Sequence, residues 1–197
     1  MRVMSSVHGD VGSAIVEARL KYLQRVPFPA SRRDVGKGGR TYYSADDLMR
    51  LAVVFELIAA SLLPAQSAAL VDERWTEIST GLASAWTGRS SPAASVLMLA
   101  IPNTFDVDGL GAGRVDIRSV DEVAIWLKHR RLSGRKMAAD GHRPQPEPRA
   151  TLVDLVALAT ALDEALSAST QVPEFVAMKS EVDAWVASHR GDQGKRT

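Results

Sequence analysis

The 197-residue chain contains no cysteine. That excludes disulfides, thiol nucleophiles and cysteine metal sites, and it leads us to expect a cytoplasmic setting. Aromatic residues are scarce at 6%. No apolar run is long enough to span a bilayer, and the opening MRVMSSVHGD lacks the apolar core of a signal peptide. The four histidines, at 8, 129, 142 and 189, are scattered, and HExxH is absent. No serine sits in a nucleophile elbow and no pair of acids forms a catalytic frame. These absences give no reason to expect an enzyme, a metal or a cofactor.

Net charge is also nearly missing, at a formal +1. Against that balance, the segment from Arg19 to Arg40 is unusual, with seven basic residues and one acid, Asp34. A local cationic surface on a small protein suits a polyanion, nucleic acid first among them.

The order of elements around this segment sharpens the expectation. A helix over about 14–24, with Ser13 as its cap, presents Ile15, Val16, Leu20 and Leu23 to a core and Arg19, Lys21 and Arg25 to solvent. Pro27 and Pro29 end it. Gly36, Gly38 and Gly39 form a tip between Arg32-Arg33 and Arg40, and Thr41, Tyr42 and Tyr43 favour a strand. A short hairpin, or wing, with Lys37 at its tip is the natural result. Ser44 and Asp47 make a capping arrangement for a further helix, Asp46 adds charge to its first turn, and Leu48, Leu51, Phe55 and Ile58 form its buried stripe. Pro64 opens a helix whose stripe of Ala68, Val71, Trp75, Ile78 and Leu82 reaches Trp86.

This ordered set, LKYLQR (20–25), PASRR (29–33), GKGGRTYY (36–43) and SADDLMRL (44–51), resembles the MerR-type winged helix-turn-helix. The resemblance covers residues 13–71, about a third of the chain. Leu62-Leu63-Pro64 stands where that family turns into a fourth helix. The resemblance implies a DNA-binding head in which the helix near 13–25 enters the major groove and the wing over 32–42 grips the flanking backbone. The candidate DNA contacts are therefore Arg19, Lys21, Tyr22, Arg25, Arg32, Arg33, Lys37, Arg40 and Tyr42. Metal or redox sensing through cysteine, known in the family, cannot apply here.

Beyond TGRSSP (87–92), SVLMLAIP reads as a buried strand or short core helix, and Val115 to Arg118 as a second strand. Ser119 caps a helix to about Arg131, with Val123, Trp126 and Leu127 inward. Residues 132–149 read as a mobile linker; the basic run from Lys128 to Arg149 is a candidate second DNA contact, but such a Pro-rich run is more often only a solvated linker. Two helices, about 150–168 and 173–189, close the chain. GLGAG lacks the lysine and spacing of a phosphate loop and reads as a turn. The four tryptophans lie on apolar stripes, where packing is a stronger expectation than an effector pocket.

The expected fold is mainly α with a small β component: a winged helix-turn-helix with bracing helices over 1–86, then an α+β or helical module over 92–190 for dimerisation or effector sensing. The function expected is that of a sequence-specific, nucleoid-associated transcription regulator, acting on double-stranded DNA as a homodimer, with a small-molecule or protein effector left open and no membrane partner. Two alternatives stay open: an excisionase-like architectural DNA-binding factor, and a protein-interaction adaptor or antitoxin-like partner.

Overall fold

The computed structural model describes residues 7, 13–26, 28–29, 43–90, 96–102, 113–139, 150–168 and 172–190, with backbone alone at 13, 99–102 and 130–139. The fold is mainly helical with one small sheet. In chain order the elements are α1 (Ser13–Arg25), α2 (Ala45–Ala59), α3 (Pro64–Glu73), α4 (Trp75–Gly88), β1 (Leu97–Pro102), β2 (Gly113–Arg118), α5 (Val120–Ala139), β3 (Thr151–Asp154), α6 (Leu155–Ser167) and α7 (Pro173–Arg190).

Helix α2 is the centre of the molecule. Its capping box is complete: Asp47 N–H donates to Ser44 Oγ at 3.2 Å, and Ser44 N–H donates to Asp47 Oδ2 at 2.9 Å. Two orphan amides at the helix start are thereby satisfied. Leu48, Leu51 and Phe55 are buried and Ile58 is half-buried, but the burial extends round the helix to Met49, Ala52, Val53, Val54 and Leu57. The run LAVVF is apolar on every side, and a helix of that kind belongs inside. The helix ends in a Schellman motif, in which Leu62 N–H donates to Leu57 O and Ser61 N–H to Ile58 O, with Ser61 at φ 73.

The single helix expected from Pro64 to Trp86 is divided at Arg74 (φ −111, ψ 22) into α3 and α4. Backbone bonding runs through the break, from Arg74 N–H to Leu70 O and from Ile78 N–H to Arg74 O. All six stripe residues are still buried. The Arg74 side chain reaches across to donate to Gly113 O at 3.1 Å, tying the bend to the start of β2.

The sheet has the order β2-β1-β3 and both pairings are antiparallel. Met98 pairs with Ile117 on one side and with Val153 on the other, so one face is apolar. That face lies on α4, where Gly81 lets Ile117 approach so closely that a Cβ at position 81 would sit 2.9 Å from its side chain. Strand β3 corrects the expectation of a helix starting near 150. Thr151 and Val153 are β-branched and suit a strand. Asp154 then caps α6, accepting from Val156 and Ala157 N–H at 2.9 and 3.0 Å.

Three further corrections follow. Ile15, expected in the core, is 51% exposed, because it lies about 100° round α1 from the buried Val16. Leu127, expected inward, is 49% exposed, whereas Val123 is buried and Trp126 half-buried. Residues 132–139, assigned to a mobile linker, continue α5, in keeping with the good helix formers Leu132, Arg135, Lys136, Met137, Ala138 and Ala139. The rest of that linker, 140–149, lies outside the described residues, as does GLGA. One hydrophobic cluster draws on α1, α2, α3, α4, the sheet, α6 and α7. Among the described residues no helix is long and apolar enough to cross a membrane.

Candidate nucleic-acid interface

Helix α1 is amphipathic. Val16 and Leu23, seven residues apart, are fully buried, and Leu20 is half-buried between them. The opposite arc carries Ala14, Ala18, Lys21, Tyr22 and Arg25, all exposed. Lys21 pairs with Glu17 at 3.0 Å, with the lysine 66% exposed, so the pair is solvated and worth little. Tyr22 is 43% exposed, so its ring stands clear of the core. The structure thus brings Lys21, Tyr22 and Arg25 onto one open face. Arg19 lies at the edge of that face: the residue is half-buried, and its enclosed Nη1 has no hydrogen-bond partner among the described residues. Arg32, Arg33, Lys37, Arg40 and Tyr42, with the wing they would form, lie outside the described residues.

Helix α1 is seated by apolar and polar contacts. Gln24 Nε2 donates to the Tyr43 hydroxyl at 2.9 Å. Tyr43 is half-buried and immediately precedes the Ser44 cap. The end of α1 is therefore tied to the start of α2, across the intervening segment that holds the remaining basic candidates.

The start of α2 is in turn the focus of a constellation that sequence reasoning missed. Asp46 Oδ1 accepts two indole N–H groups, from Trp75 on α4 at 2.8 Å and from Trp185 on α7 at 2.9 Å. Its Oδ2 accepts from Arg50 Nε at 2.7 Å. Arg50 also pairs with Asp72 at 2.9 Å and lies 4.4 Å over the Trp75 ring. Trp185 is 6.1 Å from Trp75 and stacks on His189 at 4.2 Å. Burial pushes the Asp46 carboxyl up, but the Arg50 hydrogen bond, the Trp185 N–H, the Arg50 charge and the Trp75 N–H outweigh it and hold the group below its ordinary range. The sequence reading saw Asp46 only as a favourable charge in the first turn. The two tryptophans that converge on it are 29 and 139 residues away, and no local pattern joins them.

A second polar cluster pins α7 at its other end. Lys179 Nζ donates to Ser167 Oγ at 2.6 Å and lies 3.0 Å from Asp163 Oδ1. Asp163 Oδ2 accepts from Arg89 Nε at 3.2 Å, and Arg89 also bonds Trp86 O and covers the Trp86 ring. Burial raises the Asp163 carboxyl, but the Lys179 hydrogen bond and the Arg89 guanidinium prevail and hold it low. Neither cluster has the make-up of a metal centre, and among the described residues no three of His, Asp and Glu are grouped to hold an ion.

No protein-family model, no curated protein and no solved structure matches this chain.

Proposed function

We propose that this protein is a sequence-specific DNA-binding transcription regulator that reads DNA with α1. The observation that carries the reading is the division of that helix into a buried Val16–Leu23 seam and an open face holding Lys21, Tyr22 and Arg25. Lysine, arginine and a tyrosine hydroxyl on an exposed helix are the groups that contact phosphates and base edges in a major groove. The basic segment to Arg40 would add backbone contacts beside it. One such head buries little surface, so a homodimer on paired half-sites is part of the proposal.

The salt dependence of binding tests this. Each neutralised phosphate contributes about 0.9 to the slope of log K against log salt. Replacing both Lys21 and Arg25 by alanine should lower the slope by about 2 and weaken binding, as read by fluorescence anisotropy on duplex DNA. An unchanged slope would show that α1 does not touch DNA.

The same face favours a second reading. Ile15 is 51% exposed and lies two helical turns from Tyr22, itself 43% exposed, so a protein partner lying along α1 would cover both. An adaptor would lose its partner, not DNA, when Ile15 and Tyr22 are replaced by serine.

A further inference from the structure

We infer that α7 is a detachable strap, latched by Asp46, whose release loosens the seat of α1.

The helix is weakly held for its length. Of its 18 residues only Val182, Trp185 and Val186 are buried. The 15-residue α2 buries ten. Ordering a helix costs conformational entropy at every residue, and this seam offers few side chains against that cost. Segments with few buried apolar contacts are the ones that open on their own, ahead of the whole molecule. Beyond Val186 the packing opens on one side. His189 and Arg190 face Thr80, Ser84 and Thr87 across an open polar groove of about 330 Å³.

What holds α7 is therefore concentrated. Trp185 supplies both the centre of the apolar seam and the N–H that reaches Asp46 at 2.9 Å. His189 Nδ1 lies 2.8 Å from Trp185 O and its ring stacks on the indole, so the last turn is organised by the same residue. Lys179, on Ser167 and Asp163, is a second tie, and Phe175 and Met178 add partly buried packing at that end. Undocking would uncover Trp75, which packs against Trp185.

The latch lies on a direct route to α1. Asp46 is in the first turn of α2, next to the Ser44–Asp47 capping box. Tyr43 precedes that cap and accepts from Gln24 of α1. Undocking of α7 removes one of the three donors that hold Asp46 and frees the first turn of α2 to shift, and with it the Tyr43–Gln24 tie. As a regulatory device this rests on the DNA reading; as a conformational device it does not.

Hydrogen exchange on the full chain, without DNA, tests it. In the wild type, amides of 173–190 should exchange through an opening that leaves α2, α4 and α6 protected. Trp185→Phe keeps an aromatic ring but deletes the N–H to a charged acceptor, and should speed exchange in α7 by about tenfold or more, with α1 following. Trp75→Phe deletes the other N–H to the same oxygen from within the core, and should not single out α7. The proposal is overturned if wild-type α7 exchanges only with global unfolding, if Trp185→Phe accelerates all helices alike, or if α7 opens while α1 stays unchanged. The wild-type measurement decides the first point even if a variant does not fold. A chain that fails to bind DNA yet shows this exchange pattern would sink the regulatory reading and leave the strap intact.

Discussion

Replacement of Asp46 by alanine would strip one acceptor from three donors at once. The two indole N–H groups suffer most, because Trp75 and Trp185 are only 9% and 8% exposed and water cannot readily replace the lost oxygen. Each buried donor left unsatisfied costs about 1–3 kcal/mol. Arg50 loses less, since it keeps Asp72 at 2.9 Å. The Asp46 side chain is itself 32% exposed, which discounts the ion-pair contribution further. The sum is a destabilisation of about 3–5 kcal/mol. Asp46→Asn keeps one carbonyl oxygen that can serve both indoles and loses chiefly the charge, at about 1–2 kcal/mol. Urea unfolding followed by circular dichroism, with both variants compared at equal slope, measures the difference. If Asp46→Ala falls within about 1 kcal/mol of the wild type, or if the alanine and asparagine variants are equal, the carboxylate is not the acceptor on which the three helices depend.

Four carboxylates, Asp46 among them, give stability a defined pH dependence. Asp46 and Asp163 are held below the ordinary 3.8, so their contribution is present above that value and is lost as the pH falls through the lower folded value. Glu56 and Asp72 are pushed up by burial and act oppositely, contributing stability at low pH that is lost as the pH rises through their raised values. The thermal midpoint of the wild type should therefore fall below about pH 4, and less steeply in Asp46→Asn; equal slopes would contradict the assignment. Ser61 occupies the left-handed position of the Schellman turn at φ 73, so Ser61→Gly should stabilise the protein by about 1 kcal/mol in urea unfolding. Gly81→Ala should instead destabilise it by about 1–2 kcal/mol despite better helix propensity, because the new methyl meets Ile117 at 2.9 Å. Adding Ile117→Ala should remove that clash, and a double variant no better than the sum of the two single changes would refute it.

What could be read in the chain was local. Ser44 with Asp47, Pro64, and Ser119 before an apolar run all mark helix starts: the two serines cap α2 and α5, and Pro64 is the first residue of α3, whose N-cap position, Leu63, makes no side-chain bond. Val115–Arg118 was legible as a strand, SVLMLAIP was left open between a strand and a short core helix, and their antiparallel pairing was not read. Strand β3 was hidden because four residues, TLVD, run without a turn into a strongly helical sequence; only Asp154, as a cap, marked the boundary. The burial of α2 on all sides was underestimated because a stripe count finds one face and does not ask whether the others are polar. On α1, Arg19 was turned to solvent by helical spacing and is half-buried, whereas Lys21 and Arg25 were placed correctly. Ile15 was not, since an apolar residue at the edge of a seam carries no sign of which side it falls on. The Asp46 constellation was out of reach of any local pattern, because its donors come from α4 and α7 and only the tertiary packing brings them together.

If α1 reads DNA, the protein selects particular genomic fragments through Lys21 and Arg25. Purified protein is mixed with fragments of genomic DNA, and the fragments retained are sequenced at a low and a high salt concentration, for the wild type and for the Lys21→Ala, Arg25→Ala double variant. The account predicts a few wild-type fragments retained at high salt, sharing a paired half-site, and none retained by the variant. Retention of all fragments at low salt and none at high salt, or the same few fragments held equally by the variant, would contradict it.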